Sequence, residues 1–459
     1  MNKALKNIIN TKVKIQYIFI LISILMGIYW TKIIPPFQAP DEFVHFYRAY
    51  EISEGHLVSK NVNGDTGNYL PKAIKEFEDT MGAYDIPFNY EKKLGHSQME
   101  EAKKIHLSDE RIFFSFPSSA IYSPIPYIPQ SLGIFFARAF DLSVYNIILS
   151  ARLFNLFAYI LFTYWAIKIL PKLKSCLFLL ALMPMTLQQA ASTSGDALLF
   201  GVSFFMIAYI FRLIFSDEIV HFTRKDFFII SCLSIATALL KPAYFLFFLI
   251  VFLIPIKKYK SKQLFWLYNF SISFVTLISL FSWMTFGPGA ATPQDPIEQV
   301  KWILLNPIAY FKKFIGTFIY YDNLYIEFVG YLGWLDTPIP YVISFLFTIF
   351  FTIAITSESP FENQNNFSTF IRGLLLFGFF LLEVVVIDTM IFLAWPQRGL
   401  KYVAGVQGRY FIPVFIIFAY GIYVILPRIK KLPKNTFNIL VVIFSFLLAS
   451  YFLLLRYYP

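Results

Sequence analysis

Residues 15–34 read IQYIFILISILMGIYWTKII, and Pro35-Pro36-Phe37-Gln38-Ala39-Pro40-Asp41-Glu42-Phe43-Val44-His45-Phe46 follows at once. The first part is apolar and long enough to cross a bilayer core of about 30 Å. Lys3, Lys6, Lys12 and Lys14 precede it, as in a signal anchor. Only Gly27-Ile28-Tyr29-Trp30 stands where a small-residue cleavage site would be, so the segment is expected to be retained. The positive-inside rule puts the N-terminus in the cytoplasm. Asp41 and Glu42 then lie at the outer membrane surface, at the depth of a lipid-borne head group.

Working outward, apolar runs recur along the chain at about 15–34, 147–168, 176–191, 197–215, 227–240, 243–256, 264–286, 339–356, 371–395, 410–426 and 436–455. The chain is 57% hydrophobic, against roughly 45–50% for soluble domains. Alternation of the barrel kind is absent, so the spans are helices. The expectation is an all-α polytopic membrane protein with eleven transmembrane helices and an outer C-terminus. Cytoplasmic loops and the N-terminus would hold 19 of the 39 Lys and Arg, including Arg212, Arg372, Arg428, Lys430, Lys431 and Lys434. Trp30, Trp165, Trp266, Trp283 and Trp395 fall near span ends, as in an aromatic belt. Residues 1–459 read as one membrane domain. Residues 35–140 form its first external loop, an external cap with interfacial helices, and residues 122–140 are a proline-broken helix on or dipping into the outer interface. Residues 287–337 form a second external region with an interfacial helix near Ile297–Tyr320.

The net charge of +11 punctuates membrane spans rather than forming a basic stripe, so nucleic-acid binding is excluded. Cys176 and Cys232 lie in apolar segments and fit neither a disulfide framework nor a metal site. No Gly-rich phosphate loop, dinucleotide fingerprint or zincin motif is present. The abundant Phe looks like compositional bias, so aromatic stripes are discounted as sugar platforms.

The polar residues are concentrated. Between Pro35 and Ile121 lie 14 of the 28 Asp and Glu and 4 of the 5 His. Pro40 can occupy the first position of a helix, with Asp41 and Glu42 in its first turn. Asp41, His45 and Arg48 then share a face. The pair could cap a surface helix or do chemistry. His45 could ligate a metal beside Asp41 or serve as a structural hydrogen-bond partner. Gln188-Gln189-Ala190-Ala191-Ser192-Thr193-Ser194-Gly195-Asp196 places Asp196 in an external turn, either as a cap or facing the same site. Arg398, Lys401 and Arg409 cluster in the last external loop, with Gln407 and Tyr410 beside Arg409. Three cations there run against the positive-inside bias and could hold phosphate or anionic lipid. Glycines around Arg409 would let a phosphate approach the backbone. Lys241, before Pro242, offers one more cation or a snorkelling side chain. Trp334 could stack on a sugar or mark the interface. Glu383 and Asp388 fall inside a span, where acids usually face the protein interior.

The Pro35–Ala49 motif, the Ser194-Gly195-Asp196 turn, Lys241-Pro242 and Gln407-Gly408-Arg409-Tyr410 resemble the bacterial membrane-protein family called domain of unknown function 2142. That family is similar in layout to the GT-C superfamily of glycosyltransferases. The resemblance implies a bacterial cytoplasmic-membrane enzyme with an external active site. Its donor would be a polyprenyl-phosphate sugar and its acceptor a cell-surface glycan or glycolipid. The essential acid would be Asp41, with Glu42 as a second catalytic candidate. His45, Arg48, Asp196, Lys241, Arg398, Lys401, Gln407, Arg409 and Tyr410 would bind substrate and phosphate. Many GT-C enzymes use a divalent metal, magnesium or manganese, near that acid, which here would be Asp41. The chemistry needs a carboxylate to take the acceptor proton and cations to stabilise departing phosphate. The rivals are a lipid-linked glycan flippase or transporter, which predicts ionisable groups at mid-membrane, a polysaccharide polymerase or ligase using a glycan-lipid donor, and a non-catalytic assembly subunit.

Overall fold

The computed structural model describes residues 14–216, 221–287, 296–359, 367–394, 399–426 and 435–459. Arg398, Trp395, Lys3, Lys6, Lys12, Arg428, Lys430, Lys431 and Lys434 lie outside the described residues. Helix α1 (Ile15–Ile33) runs until Pro35 and Pro36, which supply no N–H and force extended backbone before them. Trp30 in its last turns donates to Ser450 Oγ at 2.8 Å, tying α1 to the C-terminal helix.

Helix α2 (Glu42–Ser53) starts two residues later than expected, at Glu42 and not Pro40. Asp41 is its N-cap, in the left-handed region at φ 60°, and not a member of its first turn. A three-stranded antiparallel sheet follows: β1 (Lys60–Val62), β2 (Asp65–Pro71) and β3 (Arg111–Ser115), in that order. The expected cap was wholly helical, and the sheet corrects it. Its signal was Asn63-Gly64, both with positive φ, in the two-residue turn that twisted hairpins prefer. The sheet and the helix Lys72–Met81 roof α2; Tyr47 meets Phe114 at 4.7 Å and Phe37 lies between Phe46 and Phe77.

Helix α3 (Ile128–Ala139) follows the proline-broken stretch, and α4 (Val144–Ile169) turns back from it. The two pack lengthwise, with Ser150 Oγ donating to Gly133 O at 2.8 Å. The segment expected at 176–191 is broken at Pro184 into Lys174–Ala181 and α5 (Pro184–Ala190). Next come α6 (Asp196–Phe215), α7 (Arg224–Leu240), a 3-10 segment Pro242–Leu253 and α8 (Lys262–Phe286). The second expected interfacial helix is two, Pro296–Leu305 and Pro307–Tyr320, divided by Asn306 before Pro307. The chain ends with α9 (Leu324–Gly330), α10 (Tyr341–Thr356), α11 (Phe367–Ala394), a 3-10 turn Gly408–Phe411, α12 (Ile412–Ile425) and α13 (Asn435–Tyr457).

Each of the eleven apolar stretches is helical at least in part. Among the described residues, seven helices are long and apolar enough to cross a membrane. The others are shorter or broken, chiefly at prolines. Helix α6 is the most buried of the seven, and α8 the most exposed.

One ion pair holds the first loop against this bundle. Arg152 on α4 donates Nε and Nη2 to Glu42 at 2.7 and 2.6 Å. Its remaining N–H groups go to the carbonyls of Thr31, Ile34 and Pro35. Glu42 also accepts from Thr193 N at 3.1 Å. Removing one partner of a buried pair typically costs about 3–5 kcal/mol, because the other charge stays buried. Glu42→Gln is therefore expected to lower the thermal midpoint in detergent sharply, and Arg152→Met likewise. A midpoint unchanged in both would show that the pair does not hold the loop.

Candidate functional site

A cavity of about 560 Å³ opens where α2, α6, α7, α11 and the Gln407–Tyr410 turn converge. Asp41, His45, Asp196, Lys241, Gln407, Arg409 and Tyr410, all singled out from sequence, lie on its wall. They come from four segments far apart in the chain.

Asp41 makes no side-chain cap to its helix; only its carbonyl is used, by His45 N at 3.2 Å. Its carboxylate instead accepts from Arg409 Nη2 at 3.1 Å and is 47% exposed, so it stays open to an incoming group. Left-handed backbone at a non-glycine residue costs free energy, tolerated best by Asp and Asn. Here it aims Asp41 into the cavity while Glu42 points into the protein.

Arg409 is nearly fully buried. It reaches Asp41, Gln189 Oε1 at 3.1 Å, and Asp196 Oδ2 at 3.6 Å. Asp196 sits in the first turn of α6, where the helix dipole favours a carboxylate. It accepts from Lys241 Nζ at 3.0 Å. Lys241 is in extended backbone between α7 and the 3-10 segment, 4.2 Å from the Tyr410 ring centre. Asp41 and Asp196 thus balance Lys241 and Arg409. The buried Gln407 Oε1 has no hydrogen-bond partner and lies at this wall.

His45 Nδ1 lies 2.8 Å from the Tyr127 hydroxyl. Burial pushes its pKa down to about 4, against the opposing pull of Asp41 and Asp196. It is therefore neutral at neutral pH. Tyr127 and Tyr122 also line the cavity, and burial holds both phenols above their usual range. Neither tyrosine was singled out; the signal was Tyr122-Ser123-Pro124-Ile125-Pro126-Tyr127, polar rings in a proline-broken stretch. Gln189 and Arg152 were also passed over. Arg152 could have been found as an arginine inside an apolar run.

Other expected residues lie elsewhere. Glu42 is fully buried on Arg152 and does not reach the cavity. Its carboxylate is taken up by Arg152 and Thr193 N, away from the cavity that Asp41 lines. Arg48 is also fully buried, paired with Glu51 and donating to Leu57 O and Ser59 Oγ. It does not line the cavity. Lys401 is exposed near Tyr320, off the cavity wall. Gly408 does not serve ligand approach. A Cβ there would meet Leu324 O and Phe328 N at 2.2 Å, so its role is close packing on α9. Gly405, at φ 86°, lies on the cavity wall, as does Gly195. Trp334 stacks on Phe43 and donates to Phe37 O at 2.8 Å, which uses it in packing.

The residues do not fit a protein-borne metal site. Among the described residues no group of three or more His, Cys, Asp and Glu converges. The two cavity carboxylates are matched by Arg409 and Lys241, and His45 bonds Tyr127.

This is a polytopic membrane protein with a polar cavity set among its helices. The chain matches the family of predicted membrane proteins designated DUF2142 over residues 24–418, and it belongs to that family. No curated protein and no solved structure matches it.

The His45 shift has a sign that can be measured. Its folded pKa lies below the ordinary 6.5, so the unfolded chain binds the extra proton first. Its contribution to stability is full above about pH 6.5 and is lost as pH falls toward 4. Thermal midpoints measured across that window should fall less steeply for His45→Gln than for the parent. Identical slopes would place the acid sensitivity in other groups.

Proposed function

We propose that this protein is a GT-C-type glycosyltransferase. It would move a sugar from a polyprenyl-phosphate carrier to a cell-surface glycan or glycolipid on the outer face of the bacterial cytoplasmic membrane. In this reading all eleven helical stretches belong to the membrane domain and the first loop is the external cap. The observation that carries it is the convergence of a half-exposed carboxylate, Asp41, with Arg409 and Lys241 in one cavity.

The chemistry follows from that set. The acceptor hydroxyl gives its proton to Asp41, and its oxygen forms a bond to the anomeric carbon. The bond from that carbon to the phosphate oxygen breaks, and the electron pair leaves with the phosphate. Arg409 and Lys241 stabilise the departing charge in a site shielded from water. The resting cavity is charge-balanced, so an arriving phosphate competes with Asp41 for Arg409. Engagement of the donor frees the carboxylate oxygen that takes the proton. The departing phosphate carries its own charge, so no general acid is needed. No step requires a metal.

The transporter reading has one observation in its favour. Glu383, fully buried in α11, has neither carboxylate oxygen hydrogen-bonded among the described residues, and Asp388 is buried five residues on. Proton-coupled movement of a lipid-linked glycan would use such groups.

Reconstitution with a polyprenyl-phosphate sugar and a glycan acceptor separates the two. Asp41→Asn is expected to lower transfer by about 10²–10⁴-fold, and Glu383→Gln to leave it within a few fold. Equal transfer by Asp41→Asn and the parent would remove Asp41 as the base. Translocation without transfer, lost in Glu383→Gln, would favour the transporter.

A further inference from the structure

A second concavity, of about 850 Å³, lies at the other end of α2. Its walls include Glu54, Lys60, Tyr69, Arg111, Phe135 and Arg138. His45 on the first cavity and Ser53 on this one are eight residues apart on the helix, an axial rise of about 12 Å. The two are separate sites joined by one helix.

Three cations and one carboxylate line this groove, leaving two positive charges in excess. Glu54 orients two of the cations. Arg111 grips it through two nitrogens, at 3.0 and 2.5 Å, and Arg138 donates to it at 3.1 Å. Arg111 is also held by Tyr69 O, and Arg138 lies 4.9 Å from the Tyr50 ring centre. The guanidinium groups are thus fixed in place before any ligand arrives. Lys60, exposed on β1 with its ammonium 5.9 Å from the Tyr69 ring centre, has no ion-pair partner among the described residues.

The groove adjoins an apolar face. Ile128, Leu132, Phe135 and Phe136 on α3 are each 47–53% exposed. Their spacing places them on one side of the helix. Phe135 belongs to both that stripe and the groove, and Arg138 is one turn beyond it. A fixed cluster of cations at the end of an apolar helical stripe matches a molecule with an anionic head and a hydrocarbon tail. A soluble glycan would use the charges and leave the stripe uncovered.

We infer that this groove binds the phosphate head group of an anionic membrane phospholipid, with acyl chain laid along the Ile128–Phe136 face. The bound lipid would fix α2, and with it the depth of Asp41, against the membrane. The inference does not depend on the transferase reading, because binding is measured without turnover.

The test is lipid retention by native mass spectrometry. The full chain is taken from phosphatidylcholine nanodiscs containing a small fraction of phosphatidylglycerol. The parent should retain phosphatidylglycerol over phosphatidylcholine. At about 1 kcal/mol per surface cation, Lys60→Gln should weaken retention about fivefold and Lys60→Glu about twenty-five-fold. Lys92→Glu, which reverses an exposed charge off the groove wall in the same loop, should leave it unchanged. No preference in the parent would overturn the inference, as would equal loss in Lys92→Glu and Lys60→Glu. Displacement of the lipid by millimolar inorganic phosphate would assign the groove to a soluble anion and overturn it as well.

Discussion

The buried Glu42–Arg152 pair is the constraint on which the site rests. A guanidinium has five N–H donors in a fixed plane. Arg152 spends them on both oxygens of Glu42 and on three carbonyls at the end of α1 and just beyond it, Thr31, Ile34 and Pro35. Pro35 has no N–H to give to Thr31 O, four residues back, so the end of α1 leaves that carbonyl to the guanidinium. Glu42 in turn takes Thr193 N, and Thr193 Oγ1 donates back to Glu42 O at 3.1 Å. Three chain segments are therefore locked around one charge pair. The turn before α6 is set by it, and so is the start of α2.

This arrangement gives two adjacent carboxylates opposite surroundings. Glu42 is held at zero exposure with every oxygen engaged, so it has no freedom to exchange partners. Asp41 precedes it in left-handed backbone and projects the other way. Its one ion-pair partner among the described residues, Arg409, is itself shared with Gln189 and Asp196. Asp41 can lose that bond without leaving Arg409 unpaired. An acid that must release one partner and take a proton needs this kind of redundancy. Lys241 supplies it on the far side by holding Asp196.

Much of the bundle was legible because apolar runs of spanning length leave few alternatives. The breaks were less so, since Pro184 sits within an apolar stretch that reads as continuous by composition. The sheet was missed although Asn63-Gly64 announces its hairpin; strands of three to seven residues in a charged loop carry little periodicity. Cavity residues were found where a charged or polar group stood against its surroundings: Asp41 at a proline step, Asp196 in a turn, Lys241 before Pro242, Arg409 in a basic loop. Glu42 and Arg48 do not line the cavity that Asp41 and His45 share, for a physical reason. Helical spacing gives the direction of a side chain relative to its neighbours, but not which face another element covers. The Glu42 partner lies 110 residues away, and Arg48 is held by Glu51 on its own helix and by Leu57, Ser59 and Tyr122 at 9, 11 and 74 residues' distance, so packing decides where each side chain goes.

Helix α2 turns these local facts into a single device. Its first residues are fixed by Arg152 and its middle by the sheet, through Tyr47 on Phe114. Its last turn meets the Glu54 cluster, which joins β3 to α3 through Arg111 and Arg138. The other end of the helix is Asp41, its N-cap between α2 and the proline loop. The backbone there sits in a strained region and the side chain is 47% exposed, against 10% for Asp196, so of these two cavity carboxylates Asp41 is the freer to exchange partners.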